Sequence, residues 1–247
     1  MDLVRDIHKA EYGEFPNVVV CTPGRFHLIG EHSWFFKDKT LSMGVNLPVY
    51  VAVSYRDDNA FHFYFPQLKD RKKISQVSMK FRKEDRWANS IKAMIFGFTS
   101  GGFDLKGMNF TIYSDILPSA GFGINTAIKV GSAYAIRELQ NLHCPEPQLI
   151  QAISRGNRQF LNSINYTSDI FTAIHSQEKA LVLTDHSTQS YELLPFDYPS
   201  KKIILVDAKV PRVNIWNEEV IREPEYALLI GELKERKSYV HGGWRYE

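Results

Sequence analysis

The run Pro23-Gly24-Arg25-Phe26-His27-Leu28-Ile29-Gly30-Glu31-His32 constrains this chain more than any other stretch. It gathers an Arg, a Glu and two His residues around two glycines, directly after the apolar, strand-like Val18-Val19-Val20-Cys21. That pattern reads as a loop leaving a strand. Loops of this kind hold charge on a rigid scaffold, which is where binding chemistry concentrates.

The rest of the chain alternates short β-like runs with helical ones. Asn46 to Tyr55 is rich in valine and aromatics and reads as one long strand or a strand pair. Arg56-Asp57-Asp58-Asn59 turns it into Ala60 to Phe65, which predicts a hairpin. Ser75 to Phe81 alternates apolar and polar. Trp87, Ile91, Met94, Ile95 and Phe98 fall at helical spacing, and Gly101-Gly102 ends that helix. Met108 to Tyr113 reads as a strand, Thr126 to Leu142 and Pro145 to Gly156 as helices. Lys179 to Thr184, Tyr191 to Pro195 and Ile203 to Val206 are β-like. A mixed-charge helical tail is expected over 211–247. The fold class is α+β, with a mixed, largely antiparallel sheet and packed helices. No linker divides it, so one domain over 1–247 is expected.

Composition narrows the function classes. With 30 Lys and Arg against 28 Asp and Glu, net charge is only +2, which gives no pull toward nucleic acid. Cys21 and Cys144 fit no metal spacing and read as reduced thiols. No apolar run approaches the roughly 20 residues of a membrane span. The acidic start Met1-Asp2-Leu3-Val4-Arg5-Asp6 lacks a signal-peptide core, and a cytoplasmic location is expected.

Asp115 to Asn125 is the best phosphate-cradle candidate: it leaves a strand, carries Gly121 and Gly123, and opens a helix. On chemistry alone it reads equally well as a strand–helix connection capped by Asn125 or Thr126. Likewise Arg25 reads as a surface ion pair, Asp169 as a helix N-cap, and His27 and His32 as satisfied loop histidines. A metal site built from Glu31 and the histidines is not expected.

Pro23 to His32 closely resembles the first signature of the galactokinases, members of the GHMP small-molecule kinase superfamily. The resemblance runs collinearly over roughly residues 17 to 210. Trp87-Ala88-Asn89 stands for a family Trp-Ala-Asn helix, and Ala120 to Thr126 for a Gly-Leu-Ser-Ser-Ser-Ala turn. Tyr166-Thr167-Ser168-Asp169-Ile170 stands for Gly-Ile-Met-Asp-Gln. The resemblance implies the GHMP-kinase N-terminal fold (ribosomal protein S5 domain 2-like). It implies ATP-dependent phosphorylation of galactose or a related hexose at the anomeric hydroxyl. It places Arg25 and Asp169 at the reacting hydroxyl, and Glu31, His32, Trp34 and Tyr166 around the sugar. Trp87, Gly121, Gly123, Asn125, Thr126 and Lys129 fall at the nucleotide, with ATP and Mg²⁺ as cofactors.

The departures matter as much. Ser33-Trp34-Phe35 replaces a family Thr-Asp-Tyr, so an indole with one donor stands where a carboxylate accepts hydroxyls. Gly123-Ile124-Asn125 replaces the triple serine, and Tyr166 replaces a glycine. Lys129 replaces the Mg²⁺-binding glutamate and opposes the cation. No third, glycine-rich signature precedes Glu247, so the C-terminal ferredoxin-like domain is expected to be absent. A homodimer or protein partner over that face is then expected. These changes point to an impaired or inactive phosphotransferase. The alternative is a non-catalytic sugar- or nucleotide-binding sensor.

Overall fold

The computed structural model describes residues 1–116, 121–201, 203, 204 and 206 of the chain. Among the described residues, seven strands form one sheet. They are β1 (Val18–Ile29), β2 (Lys39–Tyr55), β3 (Ala60–Phe65), β4 (Asp70–Ser75), β5 (Met108–Ser114), β6 (Ala180–Asp185) and β7 (Ser190–Pro195). The order is β4-β3-β5-β2-β6-β7, with β1 paired to β2 off this path. Every pairing is antiparallel except β3 with β5.

Alternation along the strands decides the two faces. Val49, Val51 and Val53 of β2, with Phe110 and Ile112 of β5, point into the main core. There they meet α2 (Ala88–Thr99), α3 (Ile124–Leu139) and α4 (Glu146–Arg155). Phe61, Phe63 and Phe110 are essentially fully buried there, each contributing about 2 kcal/mol of transfer free energy. The residues between them face the other way, toward α1 (Asp2–Tyr12). His8 of α1 is anchored there, with Nδ1 2.9 Å from Thr111 Oγ1 and Nε2 3.0 Å from Ser54 Oγ. A further helix, α5 (Thr167–His175), lies against β1 and β6.

Several sequence expectations are corrected. The signature run is not a loop leaving a strand: β1 continues through it to Ile29, with register shifts at Pro23/Gly24, where Asn46 and Leu47 of β2 are the extra residues, and at His27/Ile29, where Leu28 is. The expected hairpin is absent, because β5 inserts between β2 and β3. The alternating Ser75 to Phe81 run holds only the end of β4 and a short 3₁₀ turn at Gln76–Ser78. The described residues of Ile203 to Val206 lie outside any strand. α1 was not anticipated. The expected tail over 211–247 lies outside the described residues.

Candidate active site

Arg25 and His27 sit two residues apart on β1, so both side chains leave the same face of the sheet. They converge on Asp169 in the first turn of α5. Arg25 Nε donates to Asp169 Oδ1 at 2.8 Å and Nη2 donates to Oδ2 at 3.0 Å. His27 Nε2 lies 2.8 Å from the same Oδ1, and Thr126 Oγ1 donates to Oδ2 at 3.3 Å. A carboxylate offers about four acceptor directions, and each oxygen here already has two partners. Burial raises the Asp169 pKa, but the His27 hydrogen bond and the adjacent Arg25 guanidinium outweigh it and hold the group at about 2.

Asp169 is therefore not a helix N-cap, since Tyr166 holds that position. Arg25 is not a surface ion pair: its side chain is 17% exposed and that of Asp169 9%. Its Nη1 also donates to Gly121 O at 2.8 Å, and its backbone N–H to Phe122 O at 2.9 Å. One guanidinium thus ties β1 to α5 and to the turn that opens α3. Gly123 precedes that helix, lying against the Arg25 side chain, so neither Asn125 nor Thr126 is its cap. Asn125 is exposed in the first turn and Thr126 is buried toward Asp169.

The end of the signature is a tight turn. Gly30 adopts φ +81°, and a Cβ there would lie 2.4 Å from Lys39 O. Its carbonyl accepts from Thr40 Oγ1 at 2.8 Å and lies 2.7 Å from Ser33 Oγ. Thr40 Oγ1 is also 2.8 Å from His186 Nε2. This stitching presents Glu31 and His32 to solvent. Trp34 follows in a 3₁₀ turn (Ser33–Phe36) and meets Tyr166 edge to face, with ring centroids 5.4 Å apart. Since Tyr166 immediately precedes α5, this aromatic pair stands beside the helix that carries Asp169.

The other predicted residues lie apart from the carboxylate. Lys129, on α3, donates from Nζ to Asn157 Oδ1 at 2.8 Å; Asn157 sits in a π-helical turn (Gly156–Phe160) and donates in turn to Asn165. Trp87 packs edge-on to Phe65 and donates from Nε1 to Asp70 Oδ2 at 2.9 Å, which pins β4 to the start of α2. It is 8% exposed and takes no part in the Arg25–Asp169 group. Residues 117–120 of the cradle loop lie outside the described residues.

The residue overlooked in the sequence is His27. It reads there as a satisfied loop histidine; it is bonded at both nitrogens, Nδ1 being 2.7 Å from Ser42 Oγ, but it stands on a strand, its side chain is 7% exposed, and its other partner is Asp169. The available signal was its two-residue spacing from Arg25. The Ser42–His27–Asp169 series has the composition of a hydrolase triad, but Ser42 is completely buried and cannot meet a substrate. Among the described residues no three His, Cys, Asp or Glu side chains come together as a metal-binding group, and Asp169 has no oxygen to spare. Nor, among them, is any helix long and apolar enough to cross a membrane.

Known proteins match this chain in signature, sequence and fold. The galactokinase galactose-binding signature matches residues 6–55. A Treponema pallidum protein assigned to galactokinase is 38% identical over 212 residues, covering 86% of this chain and 53% of that protein. The galactokinase of Ligilactobacillus salivarius is 25% identical over 235 residues, covering 94% and 61%. The crystal structure of Lactococcus lactis galactokinase complexed with galactose superposes with a TM-score of 0.78 at 18% identity, covering 98% of this chain and 62% of that one. Mevalonate kinase from Methanococcus jannaschii gives 0.61 at 12% identity, covering 91% and 73%. The chain thus spans between half and two thirds of the length of these curated relatives. The signature at residues 6–55, the collinear identity beyond it and the shared α+β fold make this chain a galactokinase-like member of the GHMP kinase family.

Proposed function

We propose that this chain binds a hexose and ATP in the galactokinase manner and transfers phosphate to the anomeric hydroxyl only feebly. The galactose held by the Lactococcus lactis relative supports a hexose as ligand. Arg25 and Asp169 flank the sugar hydroxyl, Glu31 and His32 reach it from the rim, and Trp34 with Tyr166 forms an apolar wall. Gly121, Gly123, Asn125, Thr126 and Lys129 face the phosphates, and Trp87 stands on the nucleotide side. The chain acts in the cytoplasm, and a homodimer or a protein partner belongs to this reading.

The engagement of Asp169 carries this reading. A carboxylate with both oxygens doubly occupied and a pKa of about 2 is a weak acceptor for a hydroxyl proton. It remains a good electrostatic partner for positioning a hydroxyl. Phosphoryl transfer also depends on cations that neutralise phosphate charge, and here Lys129 is the charged side chain in the first two turns of α3.

The test is ADP release from ATP, Mg²⁺ and a panel of hexoses, beside calorimetric hexose binding. Saturable hexose binding is expected, with turnover at least a hundredfold below the roughly 1–100 s⁻¹ of ordinary kinases. Turnover within that range, abolished in Asp169→Asn, overturns the impaired reading. Binding with no ADP release at all leaves the sensor reading, a non-catalytic sugar- or nucleotide-binding protein.

A further inference from the structure

We infer that His27 is a positioning residue for Asp169, donating Nε2–H to hold the carboxylate against Arg25, with its tautomer set by Ser42. The inference deepens the hexose-binding reading above and rests on it for its functional consequence.

An ionised carboxylate can only accept, so the 2.8 Å contact between His27 Nε2 and Asp169 Oδ1 requires the proton on Nε2. In the neutral ring Nδ1 is then an acceptor, and Ser42 Oγ at 2.7 Å donates to it. Ser42 lies on β2, next to β1 in register opposite His27. The imidazole is therefore clamped at both ends between a strand and a helix. Arg25, with only the longer Thr126 contact at Oδ2, would leave Oδ1 held from one side and the carboxylate free to rock. A third donor, leaving from the same strand two residues further on, removes that freedom. Ser42 reaches only the ring, so its influence on the carboxylate passes through His27. The arrangement is that of a second-layer ligand, which fixes tautomer and orientation of the group it supports.

The experiment combines two spectroscopic signatures with one binding measurement. In ¹⁵N NMR of the full chain at a pH where the ring is neutral, assigned by loss in His27→Gln, the His27 ring should show a protonated Nε2 and an unprotonated Nδ1. The opposite tautomer overturns the inference without any comparison of variants. The Asp169 carboxyl, followed by ¹³C NMR and assigned with Asp169→Asn, should titrate about one unit higher in His27→Leu. It should return most of the way in His27→Gln, whose amide restores a donor but not a titratable ring. Galactose affinity by calorimetry should fall about tenfold in His27→Leu and recover in His27→Gln. Unchanged Asp169 titration in a folded His27→Leu overturns the inference. If the native chain binds no hexose, the functional reading above fails, while both NMR signatures still decide the role of His27.

Discussion

Arg25 and Asp169, 144 positions apart in the chain, meet edge to edge through two hydrogen bonds of 2.8 and 3.0 Å. Bidentate geometry of this kind is the strongest arrangement open to a guanidinium and a carboxylate. It joins the third quarter of the chain to the first, so site and fold stand or fall together.

Asp169→Asn should therefore cost stability as well as function. Removing one partner of a mostly buried pair leaves the other charge uncompensated, at a cost of about 3 kcal/mol. The folded pKa of Asp169 lies below its ordinary value, so its contribution is complete above about pH 4 and is lost as pH falls toward 2. Urea unfolding at pH 7 and pH 3 checks this: the gap between native and variant should be wide at pH 7 and narrower at pH 3.

His8 predicts a second acid-sensitive point, on the opposite face of the sheet. Burial lowers its pKa from 6.5 to about 4, since the ring is bonded as a neutral donor–acceptor to Thr111 and Ser54. The stability it contributes is complete above about pH 6.5 and drains away as pH falls through 4. One imidazole resonance, lost in His8→Asn, should titrate near pH 4. A midpoint near 6.5 would show that α1 does not dock as described.

How much of this was legible beforehand can be told from particular residues. The helices α2, α3 and α4 announced themselves because their apolar residues recur at helical spacing. α1 did not, because only Val4 and His8 of its eleven residues are buried, and a histidine does not read as apolar. Pro23 and Gly24 looked like strand breakers, whereas they mark a bulge that β2 accommodates. The false hairpin followed from assuming that neighbours in sequence pair. β5, brought in from more than forty residues away, took the place between them. Nothing local in Ser168-Asp169-Ile170 marks an ion-pair partner for Arg25; the family resemblance alone put the two together. His27 escaped notice because its value depends on Asp169 and Ser42 at once, and only the folded chain brings those to one ring.

Gly30→Ala should damage the turn that carries Glu31 and His32. Its φ of +81° disfavours any side chain, and the new Cβ would sit 2.4 Å from Lys39 O. Gly13→Ala is the natural control, with φ +82° and nothing within 4 Å. The control should lose about 1 kcal/mol for conformation alone, and Gly30→Ala about 2 kcal/mol or more, because the chain must also shift. Hexose affinity should fall only in Gly30→Ala. Equal losses in both variants would show that the contact with Lys39 is relieved at no cost.

Lys129 gives the sharpest test of the phosphate side. Its ammonium donates to Asn157 Oδ1 at 2.8 Å from one turn inside α3, on the helix that Gly123 opens. At about 4 Å, and with an effective dielectric constant near 20, a unit charge there is worth about 4 kcal/mol to a neighbouring ion. On the proposed reading, in which Lys129 faces the phosphates, it repels a divalent cation and attracts phosphate. ATP binding by the native chain should therefore be nearly the same in Mg²⁺ and in EDTA. Lys129→Glu reverses the sign at that position, and its ATP affinity should depend strongly on Mg²⁺, with Lys129→Met between the two. Calorimetry with and without Mg²⁺ reads all three. Strong Mg²⁺ dependence in the native chain would mean that the cation is held by other groups, and that Lys129 does not govern the phosphate site.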